Sequence, residues 1–230
     1  MNNRLQWILL FTLLPQFLFA QDLQEYFFPL KKLCKTKVYQ FEVAEKSALT
    51  QFWKMKSEEK NGLWKLTTEV YNTDFQLTKR AIEEIDSTGS RLQLFLQFDE
   101  SGKADTVDLI EFEVYKWQQS EDETIRWSML TNNPENATIY LAKERTYLKD
   151  CEPPMFKGKM YETVCFKDVL HSVNSDTYAE IFAFTQTSYY AKKLGLMGFD
   201  RFFEYEEDKN VNYRLVKVWK EKKWHKLASK

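Results

Sequence analysis

Only two histidines occur in the chain, so any serine or cysteine nucleophile that needs an imidazole base would have to use His171 or His225. His171 follows Leu170 at the end of a strand-like segment, and His225 lies in a lysine-rich tail. Neither histidine sits in a nucleophile elbow or in a zinc-ligand spacing, and the chain has no phosphate-binding or dinucleotide-binding glycine motif. The sequence therefore predicts no catalytic residue, no metal site and no cofactor.

Glycoside hydrolysis stays open without histidine, because it needs only two carboxyl groups about 5 to 10 Å apart. Glu111 and Glu113 would share one face of a strand. Their alternation with Phe112 and Val114 is more typical of a solvated strand face than of a catalytic pair. A carboxylate-dependent hydrolase of envelope glycans is thus an alternative for which no pair is singled out.

The chain has three cysteines, so at least one lacks an intramolecular partner. Cys151 and Cys165 bracket a turn-rich stretch with two prolines and a glycine. We predict a disulfide between them, and closing a loop of about 15 residues would contribute on the order of 3 kcal/mol. Cys34 could replace either partner, and three reduced, partly buried thiols are the other alternative.

The first twenty residues have the pattern of a secretory signal peptide. Arg4 precedes an apolar run over 5–14, and we expect cleavage after Ala20. A retained membrane anchor is the alternative, but the run is shorter than the roughly 20 apolar residues that span a bilayer. Because Gln21 follows the cleavage point in place of a cysteine, we expect no lipid attachment. The predicted product is exported and soluble, in the periplasm, at the cell surface or outside the cell, with no transmembrane segment in the mature chain.

Residues 21–230 are expected to form a single domain. Hydrophobic residues make up 43% and aromatic residues 16% of the chain, which is typical of a folded protein and not of a disordered one. The formal net charge is −1, without the basic excess of a sequence-independent nucleic-acid binder. We therefore expect no nucleic-acid partner.

Apolar and polar residues alternate with period two from Val38 onward, as half-buried strands require. Two segments, 45–60 and 77–85, are the best helix candidates, but their β-branched and aromatic neighbours favour strands. Roughly ten to twelve strands at this spacing predict an all-β antiparallel fold, either an open (half) barrel or a sandwich. The clearest strand-like segments are 38–43, 64–70, 92–98, 110–114, 125–129, 139–147, 164–170, 181–185 and 211–219.

Two segments carry large apolar residues on both faces, 94–96 and 181–184. Such strands either fill an ordinary core or curl around an apolar ligand. The ordinary core is the more frequent arrangement. If a ligand site exists, the predicted binding residues are Leu94, Leu96, Phe98, Phe182 and Phe184.

The segment 189–197 reads YYAKKLGLM. It resembles the Trp/Tyr-Tyr-Ala-x-x-Val/Leu-Gly-Leu-Val segment of uncharacterised exported β-sheet proteins of Gram-negative bacteria, whose fold is similar to the open β-barrel of lipoprotein carriers. The segment 26–30, YFFPL, is similar to the entry segment of such proteins. Met197 and Gly198 depart from the more usual Val-Lys. The resemblance implies a periplasmic or cell-surface scaffold without an established activity, and a turn at Gly195 into a final hairpin.

Export is the only functional property that the sequence indicates directly. The reading that it favours is a secreted, non-catalytic envelope protein of unknown activity, able to hold an apolar or lipid ligand on a concave β-sheet. The alternatives are the carboxylate-dependent hydrolase and a structural partner in a surface complex, so a lipid or an envelope protein is the expected partner. An apolar concavity, a convergent pair of carboxylates or a flat apolar patch would separate the three.

Overall fold

The computed structural model of the protein describes residues 21–44, 46–121, 123–132, 138–204 and 206–229. The predicted signal peptide, residues 1–20, lies outside the described residues. In this part of the chain strands dominate, with two short α-helices, α1 (Leu30–Leu33) and α2 (Glu221–Ala228), and three single 3-10 turns, Gln24–Tyr26, Ser47–Leu49 and Glu207–Lys209. In chain order the strands are β1 (Gln21–Asp22), β2 (Lys37–Val43), β3 (Gln51–Lys60), β4 (Leu63–Tyr71), β5 (Leu77–Ile85), β6 (Gly89–Phe98), β7 (Ala104–Thr106), β8 (Asp108–Lys116), β9 (Gln118–Gln119), β10 (Thr124–Asn132), β11 (Thr138–Leu148), β12 (Thr163–Asn174), β13 (Glu180–Ala191), β14 (Gly195–Phe202) and β15 (Val211–Lys220).

Twelve of these strands form a closed antiparallel barrel in which each strand pairs with its neighbours along the chain. The ring closes where β15 pairs with β2, in a register that places Val218 opposite Tyr39. The short strand β7 pairs with β6 alone, and β1 pairs with β9 in a separate small sheet. The all-β prediction and the strand number are confirmed. The expected open barrel or sandwich is wrong, because pairing β15 with β2 leaves the barrel no free edge between its first and last strands.

The helix candidate 77–85 is strand β5, as predicted, and residues 51–60 of the candidate 45–60 form β3. A single 3-10 turn, Ser47–Leu49, precedes β3. A helix does occur in the tail, where α2 follows β15. Its Trp224 is buried on the outer surface of the barrel against Phe52 and Tyr71. No helix among the described residues has both the length and the apolar character needed to cross a bilayer.

One end of the barrel is filled by the segment that precedes β2, residues 23–33, and we call it the closed end. Phe27 packs against Tyr115 and Trp117, with ring centroids 5.0 and 5.2 Å apart. Phe28 packs between Tyr39 and Tyr190. These side chains join a single aromatic core with the strand residues around them.

The turn between β13 and β14 lies against the ring of Phe28. Gly195 has a φ of +89°, which L side chains rarely adopt. A Cβ at that position would lie 2.5 Å from Cδ1 of Phe28. The predicted turn at Gly195 is therefore present, and the glycine also makes room for the ring of Phe28.

The predicted disulfide is present between Cys151 and Cys165. It ties the loop after β11 to the first residues of β12, and Cys165 is fully buried. Cys34 is free and exposed at the end of α1. The structure thus selects one of the pairings that the sequence left open.

Candidate binding site in the barrel interior

A twelve-stranded barrel is wider than its own side chains can fill. Eight strands leave an interior just large enough for packed side chains, whereas 16 to 18 strands enclose an aqueous channel. At the closed end, the side chains of residues 23–33 fill the space that the strand side chains leave. We call the other end of the barrel the open end.

A row of polar side chains crosses the interior on four adjacent strands, β11 to β14. Arg145 lies opposite Asp168, Asp168 opposite Gln186, and Gln186 opposite Arg201. Directly opposite residues of antiparallel strands point to the same face, so all four face inward together. With Lys143, two residues before Arg145 on β11, they form what we call the charged layer.

Asp168 is the centre of the charged layer. Its carboxylate accepts hydrogen bonds from Nε and Nη2 of Arg145 at 2.6 and 3.1 Å. Nζ of Lys143 lies 3.0 Å away, and Oγ of Ser188 donates at 2.9 Å. Burial alone would raise the pKa of Asp168, but Arg145 and Lys143 outweigh burial and hold the pKa at about 2. Asp168 is therefore an ionised anchor and a poor proton donor at neutral pH.

Arg145 joins the charged layer to the aromatic core beneath it. Its guanidinium lies 4.3 Å from the ring centroid of Tyr115, 5.2 Å from that of Phe166 and 6.0 Å from that of Tyr190. Cation–π contacts of this kind gain strength when they are desolvated. The charged layer is thus the boundary between the closed end and the open end.

Lys79 contributes a further inward-facing cation from β5, on the side of the barrel remote from Arg145. Lys79 and Ala81 lie on the same face of β5. Ala81 is opposite Thr68 on β4, and Thr68 is opposite the fully buried Met55 on β3, so this face points into the barrel. Burial and the nearby charge of Arg201 lower the pKa of Lys79, yet its side chain is exposed to solvent. A side chain inside an open-ended barrel satisfies both observations, because protein surrounds it while solvent still reaches it.

The acids of the interior do not balance these cations. Burial raises the pKa of Glu83, whose carboxylate accepts a hydrogen bond from Ser90. Burial also lowers the pKa of Lys143 to about 8, against the attraction of Asp168. Lys79 forms no ion pair with any residue that the structure describes. The interior around the charged layer is consequently cationic.

Above the charged layer the inner wall becomes aromatic. Phe184 and Phe182 follow Gln186 on the inward face of β13, and their rings stack with centroids 6.4 Å apart. The guanidinium of Arg201 lies 4.3 Å from the centroid of Phe184, and Phe203 packs on the same ring at 5.4 Å. Phe182 faces the interior and is nonetheless 39% exposed. Neighbouring side chains therefore do not cover it.

The predicted ligand residues do not share one surface. Phe182 and Phe184 face the interior, but Leu94 and Leu96 pair with Ile82 and Arg80 on the outer face of the barrel, and Phe98 follows them there. The inward residue of that segment is Phe95, opposite Ala81. A strand with apolar residues on both faces gives no sign of which set points inward, and the larger set here points outward.

The carboxylates considered for hydrolysis lie on the exposed surface. Glu111 accepts a hydrogen bond from Ser128 at 2.8 Å and lies 3.3 Å from Nε of Arg126. Glu113 lies 3.7 Å from Nζ of Lys116, and both glutamates are more than two-fifths exposed. Within the described ranges, no group of three or more His, Cys, Asp or Glu residues is arranged to hold a metal ion.

A separate cleft of about 530 Å³ opens at the closed end, beside Thr88, Lys116 and Trp117. Its described lining residues include no member of the charged layer and none of the aromatic residues above that layer. It is a surface feature distinct from the interior of the open end.

Sequence reasoning missed the charged residues of the interior, Lys79, Lys143, Arg145, Asp168 and Arg201. One sequence pattern could have indicated two of them. In β11, Lys143 and Arg145 stand in phase with Leu141 and Tyr147, so that two cations occupy the face that its apolar residues mark as inward. Charged residues on an inward strand face have to be paired or lie beside water.

No protein-family model matches the chain, and no curated protein matches it in sequence. Two solved structures resemble it. A protein of Bacteroides fragilis, described provisionally as an exported protein with a YmcC-like fold, is 9% identical with a TM-score of 0.52, over 81% of this chain and 96% of that one. A protein of Parabacteroides distasonis, described provisionally as a lipoprotein, is 11% identical with a TM-score of 0.52, over 80% of this chain and 95% of that one.

At these identities the likeness shows the fold alone. The resemblance to uncharacterised exported β-sheet proteins is confirmed at that level. The fold is a barrel that also occurs in proteins of the Bacteroides and Parabacteroides genera.

Proposed function

We propose that this chain is an exported, non-catalytic envelope protein that holds an apolar or lipid ligand inside the open end of its barrel. The observation that carries the proposal is the state of Phe182, which faces the interior and keeps 39% of its surface exposed. Export is supported by the leader pattern in residues 1–20 and by the provisional descriptions of the two structures that share the fold.

The inner wall of the open end has the composition of a ligand pocket. Aromatic and aliphatic side chains line it, and a small number of polar groups lie together at its floor. Phe95 and Leu141 face inward and pack against a cluster of buried residues, Leu92, Val107 and Met129. Phe182 and Phe184 face inward, belong to no such cluster and are not fully buried. An apolar chain laid along them would cover surface that the protein alone leaves in contact with water, which is favourable by about 25 cal/mol per Å².

A binding role fits the chemistry of the floor better than catalysis does. Asp168 has its carboxylate engaged by Arg145, Lys143 and Ser188, so it has no free oxygen to act as a base. Its pKa of about 2 leaves it without a proton to donate at neutral pH. The carboxylate supports the wall by holding two cations in place.

The test compares two glutamate substitutions on neighbouring residues of β13. Phe182→Glu places a charge inside the barrel, whereas Ile181→Glu places it on the outer face, where Ile181 is 48% exposed. Wild type and Ile181→Glu should both bind a fatty acid or phospholipid and melt at a higher temperature with it, since a ligand at a hundredfold excess over its Kd stabilises by about 2.7 kcal/mol. Phe182→Glu should lose the shift.

Extracted lipid profiles of the three purified proteins give an independent readout. Lipid should copurify with wild type and with Ile181→Glu. Absence of both a melting shift and copurifying lipid in the wild type would end the proposal, and so would an equal shift in the Phe182→Glu protein.

A further inference from the structure

The cations of the interior outnumber the anions that they can pair with. Among the described residues, Asp168 is the one acid that forms ion pairs with Arg145 and Lys143, and Arg145 already holds both of its oxygens. Glu83 is the other interior carboxyl group near these two cations, and burial raises its pKa. Nε and Nη2 of Arg201 donate hydrogen bonds to Oε1 of Gln186 at 3.2 and 2.9 Å. Within the described part of the chain, Lys79 and Arg201 thus face the interior without a carboxylate partner.

The charges of these cations also act on one another. Burial is the main cause that lowers the pKa of Lys79 and of Lys143. The positive charge of Arg201 lowers both pKa values further. Like charges held together in a partly desolvated interior cost free energy. An anion placed among them would remove that cost, and it would gain charge-assisted hydrogen bonds.

The aromatic wall begins where the cations end. Arg201 stacks on Phe184 with 4.3 Å between guanidinium and ring centroid, and Phe182 lies one step further toward the open end. A ligand that reaches the cations therefore passes along the two phenylalanines. Its charged group lies at the floor, and its apolar part lies nearer to the mouth.

We infer that the ligand is a single-chain amphiphile with an anionic head group, a carboxylate or a phosphate, bound head-inward by Lys79, Lys143 and Arg201. The inference rests on the proposed function, and it adds the class of ligand and its orientation. Arg201 supplies planar donors that match an oxyanion, and the two lysines supply point charges.

The experiment measures binding by isothermal titration calorimetry at pH 7, with probes of one chain length kept below their critical micelle concentrations. Dodecanoate and dodecyl phosphate carry the anion, dodecanol carries the chain alone, and inorganic phosphate carries the anion alone. The two charged amphiphiles should bind at least about tenfold more tightly than dodecanol, a ratio typical of a charge-assisted contact in a partly desolvated site.

The variant Lys79→Gln removes a cation that has no ion-pair partner among the described residues, so the fold should tolerate it. Lys167→Gln is the matched control, because Lys167 lies on β12 next to Asp168 and is exposed on the outer face. Lys79→Gln should weaken dodecanoate binding by about tenfold or more and leave dodecanol binding unchanged, and adding Arg201→Gln should weaken dodecanoate binding further. Lys167→Gln should change neither, and thermal unfolding checks that each variant is folded.

The outcomes separate the two proposals. Equal affinity for dodecanoate and dodecanol, or full dodecanoate affinity in folded Lys79→Gln, would overturn the head-group assignment and leave apolar binding standing. Binding of inorganic phosphate as tight as that of dodecyl phosphate would show that the chain contributes nothing, which contradicts the proposed function. If none of the amphiphiles binds, both proposals fail.

Discussion

The same strands build a filled interior at one end of the barrel and an incompletely filled one at the other. On β13, Ser188 and Tyr190 are buried below the charged layer, whereas Phe184 is half-buried and Phe182 is 39% exposed above it. All four side chains face inward. The difference comes from residues 23–33, which pack into the closed end only. Twelve strands therefore enclose more volume than their own side chains fill, and residues 23–33 fill the remaining volume at one end only.

The open end is not equally open along its whole circumference. On β12 the inward Leu170 and Ser172 are buried, although they lie at the level of Phe184 and Phe182. The exposed inward side chains come from β5 and β13, where Lys79 and Phe182 lie. These two strands are six pairings apart around the twelve-stranded ring, so Lys79 and Phe182 project into the interior from opposite walls.

A matched pair of alanine substitutions, one at each end of the barrel, tests the difference in packing. Phe28→Ala should lower the free energy of unfolding by about 3 to 5 kcal/mol, because Phe28 is packed against Tyr39 and Tyr190 and its loss leaves a cavity. Phe182→Ala should cost less than about 1 kcal/mol in the ligand-free protein, since its ring is poorly covered. Urea unfolding measures both. Equal losses would mean that the two ends are packed alike.

The boundary between the two ends should be almost as sensitive. Arg145→Met leaves Asp168 buried with one cation fewer, and removing one partner of a buried ion pair costs about 3 to 5 kcal/mol. Asp168→Leu alone leaves Arg145 and Lys143 without their shared anion, whereas the double variant leaves only Lys143 unpaired. The loss in the double variant should therefore be smaller than the sum of the two single losses. Urea unfolding of the two single variants and the double variant measures this coupling. Losses that simply add would contradict the assigned role of the pair.

Acid should weaken the charged layer by a smaller amount. The pKa of Asp168 is about 2 in the folded protein and 3.8 in the reference state. A carboxyl group whose pKa is depressed on folding stabilises the fold above its unfolded pKa, so this contribution is complete above about pH 4 and lost as the pH falls toward 2. Its size is roughly 2 kcal/mol. In Asp168→Asn, the free energy of unfolding should fall less between about pH 4 and pH 2 than it does in the wild type. If the two proteins show the same pH dependence of unfolding, Asp168 does not make this contribution.

Much of the fold follows from alternation in the sequence. Period-two segments locate the strands that build the wall, and β-branched and aromatic residues identify 51–60 and 77–85 as strands. Closure does not follow, because the pairing of β15 with β2 joins residues about 180 positions apart and depends on how far the sheet has curled. The disulfide could be predicted because Cys151 and Cys165 are only 14 positions apart along the chain.

The site could be predicted only in part. Phe182 and Phe184 were found from apolar residues on both faces of a strand, and the same criterion selected Leu94 and Leu96, which face outward. A bulge between Ile82 and Glu83 changes which residues of β6 meet the interior face, and alternation alone does not reveal it. The charged layer depends on registers across four strands, β11 to β14, which bring Arg145, Asp168 and Arg201 into one row.

Cysteine labelling inside the barrel tests most directly whether the open end is both accessible and cationic. Phe182→Cys in a Cys34→Ser background provides one free thiol facing the interior, and Ile181→Cys in the same background provides one on the outer face. With methanethiosulfonates of similar size and opposite charge, the thiol at position 182 should react in the folded protein, faster with the anionic reagent than with the cationic one. The thiol at position 181 should show a smaller preference or none. A thiol at position 182 that stays unreactive, or that prefers the cationic reagent, would contradict the account.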